Sequence, residues 1–447
     1  MIELNKIYQG HALEVLKTFP DNFVDTCPSS PPYWAIRDYG TPPVRWPEIT
    51  FRLNEYTPPI TVSEQDACLG MEPNPVDFIA HIVAIYREVR RVLKPTGTAW
   101  MNFGDGYAAS NYGSGGGWAK SKEGYDNAPA QERSLFKDPG YKHGIKNKDL
   151  IGMPWLLAFA LRADGWYLRS DIIWAKPNPM PESVSDRPTK GHEYIFLLAK
   201  SSDYFYDAEA IKTVSKNPQD DARRLSQVKE EHKSIPDELR NGLRITKSGN
   251  KKRVYGNERD GINSANNIAA SVPWEGTKAN KRTVWTIPTQ AYPDAHFATF
   301  PEEIPFECIK AGASEYGCCN QCGAPYERIV EKELVPTSKA AKTFVIDERD
   351  MNADAQDQGS NRAKDGHKAW HAYISKTTGW QPTCKCIQNT SGGGVCPSVV
   401  LDMFSGSGTT FTVARKLNRD AVAIELNPAY ITLSDKRKYK ELGLFNQ

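Results

Sequence analysis

The amino-acid sequence predicts an α/β protein with an open, mostly parallel sheet whose strands come from both ends of the chain. Near the C-terminus, residues 399–425 follow the pattern strand, Gly-rich turn, helix, strand. Near the N-terminus, an apolar run at 23–26 leads into the proline-stiffened stretch 26–34. Two parallel strands cannot bury both of their faces alone, so the C-terminal unit must share its sheet with strands from upstream.

The segments between these two ends alternate between helical and strand patterns, as in βαβ units. A short helix is expected at 12–16, and apolar residues at helical spacing predict a longer one over 75–93. Residues 98–103 then read as a buried strand that ends at a Gly-Asp-Gly turn. The remaining predicted elements are helices at 150–163, 302–311, 409–418 and from 428, and strands at 167–174, 193–199, 399–403 and 421–425.

Length and composition favour a large soluble protein with inserted segments. The chain has 447 residues, more than one hydrophobic core usually organises. Hydrophobic residues make up 39%, and no stretch approaches the roughly 20 apolar residues of a membrane span. The N-terminus lacks the basic and apolar regions of a signal peptide, so we expect a cytoplasmic protein that does not associate with membranes.

Composition also predicts the domain organisation. The segments are a first half at 1–210, with a surface loop inserted at 40–70 and a mobile loop at 107–148, a basic region at 211–283, and a second half at 284–447 with a cysteine-bearing insertion at about 315–390. The region 211–283 carries sixteen Lys or Arg against nine Asp or Glu. This excess favours a polyanionic partner, although a solvated, partly disordered linker explains it as well.

The Gly-rich turn predicts a ligand with a positive charge and a ribose. A phosphate-binding loop would usually contain lysine, and none lies between Ser405 and Thr410. Asp402, before the turn, suits the amino group of a cation, and Glu425, at the end of the next strand, suits ribose hydroxyls. The two carboxylates favour an adenosyl amino acid over a dinucleotide.

Four of the nine cysteines form two close pairs that match a metal site. They are Cys319, Cys322, Cys384 and Cys386. Four thiolates suit tetrahedral Zn²⁺ and leave no open position, which predicts a structural role. Cys318 is a further candidate ligand, and free thiols are the alternative. His367 and His371, between the two pairs, are expected to be solvated.

Two motifs together resemble those of a known family. Ser30-Pro31-Pro32-Tyr33 resembles the catalytic motif, and Phe404-Ser405-Gly406-Ser407-Gly408 the cofactor motif, of DNA amino-methyltransferases that depend on S-adenosylmethionine. The order, with the catalytic motif first, resembles their β class, and the stretches 174–178, 187–194 and 296–301 fit as well. The resemblance implies a circularly permuted Rossmann-like methyltransferase sheet with an inserted DNA-recognition region and a small zinc-ribbon-like insertion.

The resemblance also implies which residues form the site. The catalytic residues would be Ser30, Pro31, Pro32 and Tyr33. The residues that bind S-adenosyl-L-methionine would be Asp402, Phe404, Ser405, Gly406, Ser407, Gly408, Thr409, Glu425, Asn427 and His11. His11 stands where the family usually has an aspartate, so a neutral imidazole would have to supply the hydrogen bond there.

The exocyclic amine of a nucleobase is a poor nucleophile because its lone pair is delocalised into the ring. Hydrogen bonds accepted by the Ser30 side chain and the Pro31 carbonyl would draw the amine towards tetrahedral geometry for in-line attack. Tyr33 would stack on the base after it is flipped out of the duplex. Serine before Pro-Pro-Tyr favours cytosine N4 within the family, and adenine N6 is the alternative.

Other interpretations remain open at the level of sequence. His11 raises the alternative of a non-catalytic DNA-binding module with a degenerate methyltransferase fold, and a similar turn could methylate RNA or protein glutamine. The resemblance implies a prokaryotic or phage-encoded enzyme that acts on double-stranded DNA. A homodimer and a companion restriction endonuclease are left open as partners.

Overall fold

One eight-stranded sheet organises the part of the chain that the structure describes. This computed structural model describes residues 2–35, 40–108, 145–146, 148–214, 278–290, 301–336, 371–386 and 394–442. Its strands are β1 Lys6–Gln9, β2 Val24–Ser29, β3 Val44–Trp46, β4 Ile49–Phe51, β5 Ile60–Val62, β6 Gln65–Ala67, β7 Leu93–Phe103, β8 Tyr167–Ala175, β9 His192–Ala199, β10 Thr213–Val214, β11 Lys278–Ala279, β12 Val284–Thr286, β13 Cys318–Cys319, β14 Tyr326–Pro336, β15 His371–Pro382, β16 Val395–Cys396, β17 Val399–Asp402 and β18 Asp420–Glu425. The large sheet has the order β1-β18-β17-β2-β7-β9-β8-β12.

Helices cover both faces of this sheet. They are α1 Ala12–Lys17, α2 Pro75–Val92, α3 Met153–Ala163, α4 Glu303–Gly312, α5 Thr409–Lys416 and α6 Pro428–Leu442. On one face α2 packs against α1 and α3, and the fully buried Phe78 and Ile82 of α2 belong to the larger core. On the other face α5 packs against α4 and α6, with Phe411 in a second core. The result is a three-layer α/β arrangement.

The two ends of the chain share the sheet, as the sequence predicts. β17 pairs in parallel with β2, where Val400 lies opposite Thr26, and β18 pairs in parallel with β1. Only β9 runs antiparallel to its neighbours β7 and β8 among the described strands of this sheet. The prediction of a circularly permuted, mostly parallel α/β sheet is therefore confirmed.

The strand before the proline turn is longer than predicted. β2 continues through Cys27, Pro28 and Ser29, which the sequence predicts to lie in the turn. Pro28 lies opposite Trp100 of β7, and its carbonyl accepts a hydrogen bond from Thr410 Oγ1 at 3.3 Å. A proline inside a sheet gives up one backbone donor, which makes it look like a turn residue in the sequence. The turn itself begins at Ser30.

The prediction that 40–70 is a surface loop is wrong. The segment forms two antiparallel pairs, β3 with β6 and β4 with β5. Trp46, Ile49 and Phe51 are buried in the larger core, and Arg87 of α2 donates to the Thr50 carbonyl at 2.8 Å. The strands are short and are separated by prolines, so the alternation of buried and exposed residues is too brief to be recognised in a segment of proline-rich composition.

The chain divides into two compact units. The first comprises Met1–Ala210, Arg282–Glu327 and Trp380–Gln447, and the second comprises Ile211–Lys281 and Arg328–Gly379. In the second unit, Lys212 Nζ donates to Ser375 Oγ at 3.1 Å, and Arg328 Nη1 donates to Thr377 Oγ1 at 3.0 Å. The proposed roles of 211–283 and of the loop 107–148, like the motif at 296–301 and His367, fall largely outside the described residues.

No helix in the described ranges is long and apolar enough to span a membrane.

Candidate active site

A hydrogen bond between the two ends of the chain forms the centre of the site. Ser29, the last residue of β2, donates through Oγ to Oδ1 of Asp402, the last residue of β17, at 2.5 Å. The two strands are parallel neighbours, so their carboxyl ends meet at the same edge of the sheet, where open α/β sheets bind ligands. Burial raises the pKa of Asp402, and the hydrogen bond from Ser29 and the Phe404 N–H partly offset that rise. This contact brings the proline turn directly beside the Gly-rich turn.

The Gly-rich turn owes its shape to backbone conformations that favour glycine. Gly406 and Gly408 have φ of +51° and +77°, in the left-handed region. A Cβ on Gly408 would lie 2.9 Å from Ser434 Oγ of α6, so the turn also needs glycine for close packing. Arg437 of α6 donates to Thr409 Oγ1 at 2.9 Å. The Thr409 hydroxyl therefore links the Gly-rich turn to helix α6 and stabilises the conformation of the turn.

The carboxylate of Glu425 binds the backbone of the same turn. Its Oε2 accepts a hydrogen bond from the Gly406 N–H at 2.7 Å, and its Oε1 accepts one from the Asn427 N–H at 2.8 Å. Burial raises the pKa of Glu425, and the two N–H groups counteract the rise. A carboxylate offers about four acceptor positions, so both oxygens keep capacity for a ligand. Ser405 Oγ, also buried, has no hydrogen-bond partner among the described residues.

His11 lies beside this turn because β1 and β18 are paired. The Gly10 N–H donates to the Glu425 carbonyl at 3.0 Å, which places His11 at the start of α1 next to that strand end. Burial lowers the pKa of His11 to about 4, so its imidazole is neutral at neutral pH. The ring contacts the edge of Trp46, with 4.6 Å between centroids. The role of His11 in cofactor binding stays a prediction.

The proline turn adjoins a polar cluster that sequence reasoning missed. Tyr33 donates from its hydroxyl to Glu193 Oε2 at 2.7 Å. Asn102, at the end of β7, donates through Nδ2 to the Tyr33 hydroxyl at 2.8 Å and lies 3.4 Å from Ser30 Oγ. Lys176 forms an ion pair with the other oxygen of Glu193. Tyr33 is thus held from two strands, β7 and β9.

Sequence signals for these additional residues existed. Asn102 is a polar residue at the carboxyl end of a predicted buried strand, the position at which ligands bind in such sheets. Lys176 and Glu193 lie in stretches that resemble the family, but no role was assigned to them. Lys190 donates to the Asp105 carbonyl, and burial lowers the pKa of its ammonium group.

The cysteine cluster lies apart from this edge of the sheet. The thiols of Cys319, Cys322, Cys384 and Cys386 all lie within 4.8 Å of one another. Cys318 points away from them, since its Sγ donates to Asp25 Oδ1 at 3.2 Å. Burial, followed by the charge of Asp25, raises the pKa of Cys318 to about 12, so it is a protonated thiol. Cys318 is therefore not part of the four-thiol cluster.

Comparison with known proteins identifies the family. The sequence model of the family described as DNA methylase, N6_N4_Mtase, matches residues 24–319 and 385–436. The type II methyltransferase M.Cfr9I of Citrobacter freundii is 37% identical over 312 residues, which are 69% of this chain and 74% of that protein. M.SmaI of Serratia marcescens is 30% identical over 432 residues, 97% of this chain and 90% of that protein.

Among solved structures, the PvuII DNA methyltransferase, described as cytosine-N4-specific, covers 97% of this chain and 85% of its own, with a TM-score of 0.42 and 13% identity. The extent of the family match and of the two relatives decides the class. The chain belongs to the N6/N4 family of DNA methylases. It is a DNA methyltransferase of the cytosine-N4 or adenine-N6 kind, and the alternative of a non-catalytic module is not supported.

Proposed function

We propose that this enzyme transfers a methyl group from S-adenosylmethionine to cytosine N4 of a base flipped out of double-stranded DNA. The observation that carries the proposal is the hydrogen bond from Ser29 to Asp402. This hydrogen bond holds the proline turn, with Ser30, Pro31 and Tyr33, beside the Gly-rich turn. An amine bound at the proline turn would therefore face a methyl donor bound at the Gly-rich turn.

The cofactor residues fit an adenosyl amino acid. S-adenosylmethionine, when bound, supplies an electrophilic methyl group on its sulfonium sulfur. Asp402 would hold the amino group of the methionine part, and Glu425 would accept hydrogen bonds from the ribose hydroxyls. The buried hydroxyl of Ser405, which has no partner among the described residues, gives the turn a further polar group for the ligand. His11, neutral because of its burial, follows Gly10, which is hydrogen-bonded to the Glu425 carbonyl.

The residues of the proline turn would prepare the amine for attack. Ser30 Oγ and the Pro31 carbonyl accept hydrogen bonds from the two amine N–H groups, which weakens the delocalisation of the lone pair into the ring. Asn102 Nδ2 donates a hydrogen bond to Ser30 Oγ at 3.4 Å, and this bond orients the remaining lone pair of the Ser30 oxygen. Tyr33 stacks on the flipped base with its ring fixed by Glu193.

The choice of cytosine N4 rests on serine before Pro-Pro-Tyr, and adenine N6 is the second candidate. Nucleoside mass spectrometry of unmethylated bacterial genomic DNA, after incubation with the enzyme and S-adenosylmethionine, tests the choice. We expect N4-methylcytosine. N6-methyladenine without N4-methylcytosine would overturn the choice of base and keep the reaction type.

The four-thiol cluster fits a structural zinc ion. Thiolates around Zn²⁺ at about 2.3 Å lie roughly 3.8 Å from one another, a spacing that the cluster can adopt with small side-chain movements. Two backbone N–H groups, of Cys322 and Gln321, lower the pKa of Cys319 to about 7, which favours the thiolate. Metal analysis of the purified chain should give about one zinc per chain, and less than about half an equivalent would contradict the site.

Double-stranded DNA is the proposed partner, and the basic region 211–283 is proposed to contact part of it. Because phosphate contacts release counterions, DNA affinity should rise steeply as salt is lowered. An affinity that is independent of salt would rule out an important role for this charge. The type II names of the relatives make a companion restriction endonuclease the second partner to seek, and a homodimer stays a prediction.

A further inference from the structure

A buried carboxylate–imidazole pair lies behind the proline turn and has no part in the roles proposed above. Glu72 follows the 40–70 segment, and His81 belongs to α2. Their side chains are both 0% exposed, and Glu72 Oε1 lies 2.7 Å from His81 Nδ1. Fully buried ionisable groups are rare and costly, so a pair in this position calls for a specific reason.

Glu72 is hydrogen-bonded to Gly70, two residues before it, and to Trp34, which directly follows Tyr33 of the proline turn. Its Oε2 accepts a hydrogen bond from the Gly70 N–H at 2.8 Å, and its own carbonyl accepts one from Trp34 Nε1 at 2.8 Å. The Gly70 carbonyl in turn accepts the Ala35 N–H at 2.8 Å. Glu72 therefore fixes the backbone that holds the two residues following Tyr33.

The conformation of the chain after Tyr33 needs such support. Ala35 has φ of +54°, a left-handed conformation that is uncommon for a residue with a Cβ and is kept only when the surroundings impose it. Gly70 itself has φ of +89°, and a Cβ there would lie 3.3 Å from both Pro32 Cβ and the Tyr33 carbonyl. Gly70 therefore lies so close to the catalytic motif that the space between them has little room for a side chain.

His81 is immobilised from its other side. Its ring stacks on Trp46 with 4.0 Å between centroids and 11° between planes, and Trp46 Nε1 donates to the Ala67 carbonyl at 3.1 Å. His81 Nε2 has no hydrogen-bond partner in the described part of the chain. A proton on Nε2 would be left unsatisfied, so the geometry favours a proton on Nδ1, which donates to Glu72 Oε1.

From these contacts we infer that Glu72 and His81 are positioning residues for methyl transfer. They hold Gly70 against Pro32 and Tyr33, and thereby fix where the amine-binding groups of the turn stand relative to the methyl donor. The inference rests on the proposed role of the Ser30–Tyr33 turn. Since neither side chain touches the reacting atoms, their loss should slow the transfer step and leave the affinity for S-adenosylmethionine intact.

The test compares Glu72→Gln and His81→Asn with the matched control Glu64→Gln in the full chain. Glu64 lies in the preceding 40–70 segment, is exposed, and pairs with the exposed Arg45. Rates are measured with labelled S-adenosylmethionine and unmethylated bacterial genomic DNA, and cofactor Kd by calorimetry. Because a misplacement of about 1 Å can cost about 100-fold in rate, we expect kcat to fall by about 10- to 100-fold in both pair variants.

The other measurements separate positioning from folding. Cofactor Kd should stay within about twofold, and Glu64→Gln should retain the parent kcat. A kcat within about twofold of the parent in both pair variants would overturn the inference, and so would failure of both variants to fold. Ser30→Ala, assayed in parallel, keeps the two proposals apart: if it is inactive while the pair variants are fully active, only the positioning role fails.

Discussion

Tyr33 is held in place by its ring and by its hydroxyl. The centroid of the Tyr33 ring lies 4.6 Å from that of Phe103. A Cβ at position 104 would come within 2.8 Å of Tyr33 Cε2, so the glycine at this position leaves room for the tyrosine ring. The Tyr33 hydroxyl donates a hydrogen bond to Glu193 and accepts one from Asn102. A flipped base would therefore meet an aromatic face whose orientation is fixed before binding, which reduces the cost of ordering the site.

Tyr33→Phe tests the contribution of the hydroxyl alone. The variant keeps the stacking ring and loses two hydrogen bonds, one of them to a carboxylate, so we expect kcat to fall by about tenfold, equivalent to about 1.4 kcal/mol. Cofactor Kd should not change. The control is Tyr56→Phe, at a tyrosine that is 92% exposed, and equal rates in both variants would contradict the role of the hydroxyl.

Sequence could predict Tyr33 but not the residues that hold it. The motif around Ser30 is contiguous, so a local pattern reveals it. Asn102 and Glu193 reach Tyr33 from strands 69 and 160 residues away, and their meeting depends on how β7 and β9 pair. Such contacts leave no local periodicity, and only the folded sheet brings them together.

At the scale of elements, strong periodicity gave accurate predictions and mixed composition did not. Helix α2 spans Pro75–Val92, one residue short of the predicted end, because its apolar stripe and its first-turn proline are clear signals. The strand β7, by contrast, begins five residues before the predicted Thr98 and includes Pro95. Proline and glycine inside a strand conceal it, whereas in the segment 40–70 the prolines lie between the short strands and break up their pattern.

Close packing of α4 on the sheet gives a prediction about stability. A Cβ on Gly312 would lie 2.5 Å from Thr26 Oγ1 and 2.6 Å from Thr98 Oγ1, and these two hydroxyls are hydrogen-bonded to each other at 3.0 Å. Neither neighbour can move without breaking that bond. Gly312→Ala should therefore lower the free energy of unfolding by about 1–3 kcal/mol, measured by urea denaturation.

Gly191→Ala is the matched control for this experiment. Among the described residues, a Cβ at Gly191 would meet Pro179 Cγ at 3.9 Å, an ordinary contact. Its free energy of unfolding should be unchanged or rise by up to about 1 kcal/mol, since alanine restricts the unfolded chain. If Gly312→Ala were as stable as this control, helix α4 would not pack as closely as described.

For the molecule as a whole, the joining of the two chain ends is secured at both edges of the sheet. At the carboxyl edge Ser29 binds Asp402. At the amino edge Asp25 of β2 accepts hydrogen bonds from the Val399 N–H at 2.8 Å and from Lys94 Nζ at 2.9 Å. Cys318, next to the four-thiol cluster, donates to the same carboxylate. Asp25 thus connects β2, β7, β17 and the cysteine-bearing segment.

Lys94→Met tests this connection. Burial alone would lower the pKa of Lys94, but the charge of Asp25 raises it above its usual value, so the lysine is charged and paired. Removing it leaves the buried Asp25 charge without its partner, which should cost about 3–5 kcal/mol in unfolding free energy. Lys17→Met, at an exposed pair with Glu14, should cost less than about 1 kcal/mol. Similar losses in both variants would show that Asp25 does not join the chain ends.

We propose that two stretches of the chain, joined through Ser29 and Asp402 across a sequence separation of 373 residues, form one site for methyl transfer. The most direct measurement is the rate of labelled methyl transfer to unmethylated bacterial genomic DNA by Ser30→Ala, at saturating S-adenosylmethionine. We predict that the variant binds the cofactor as the parent does and loses at least about 100-fold in transfer rate. Transfer at the parent rate would contradict the claim.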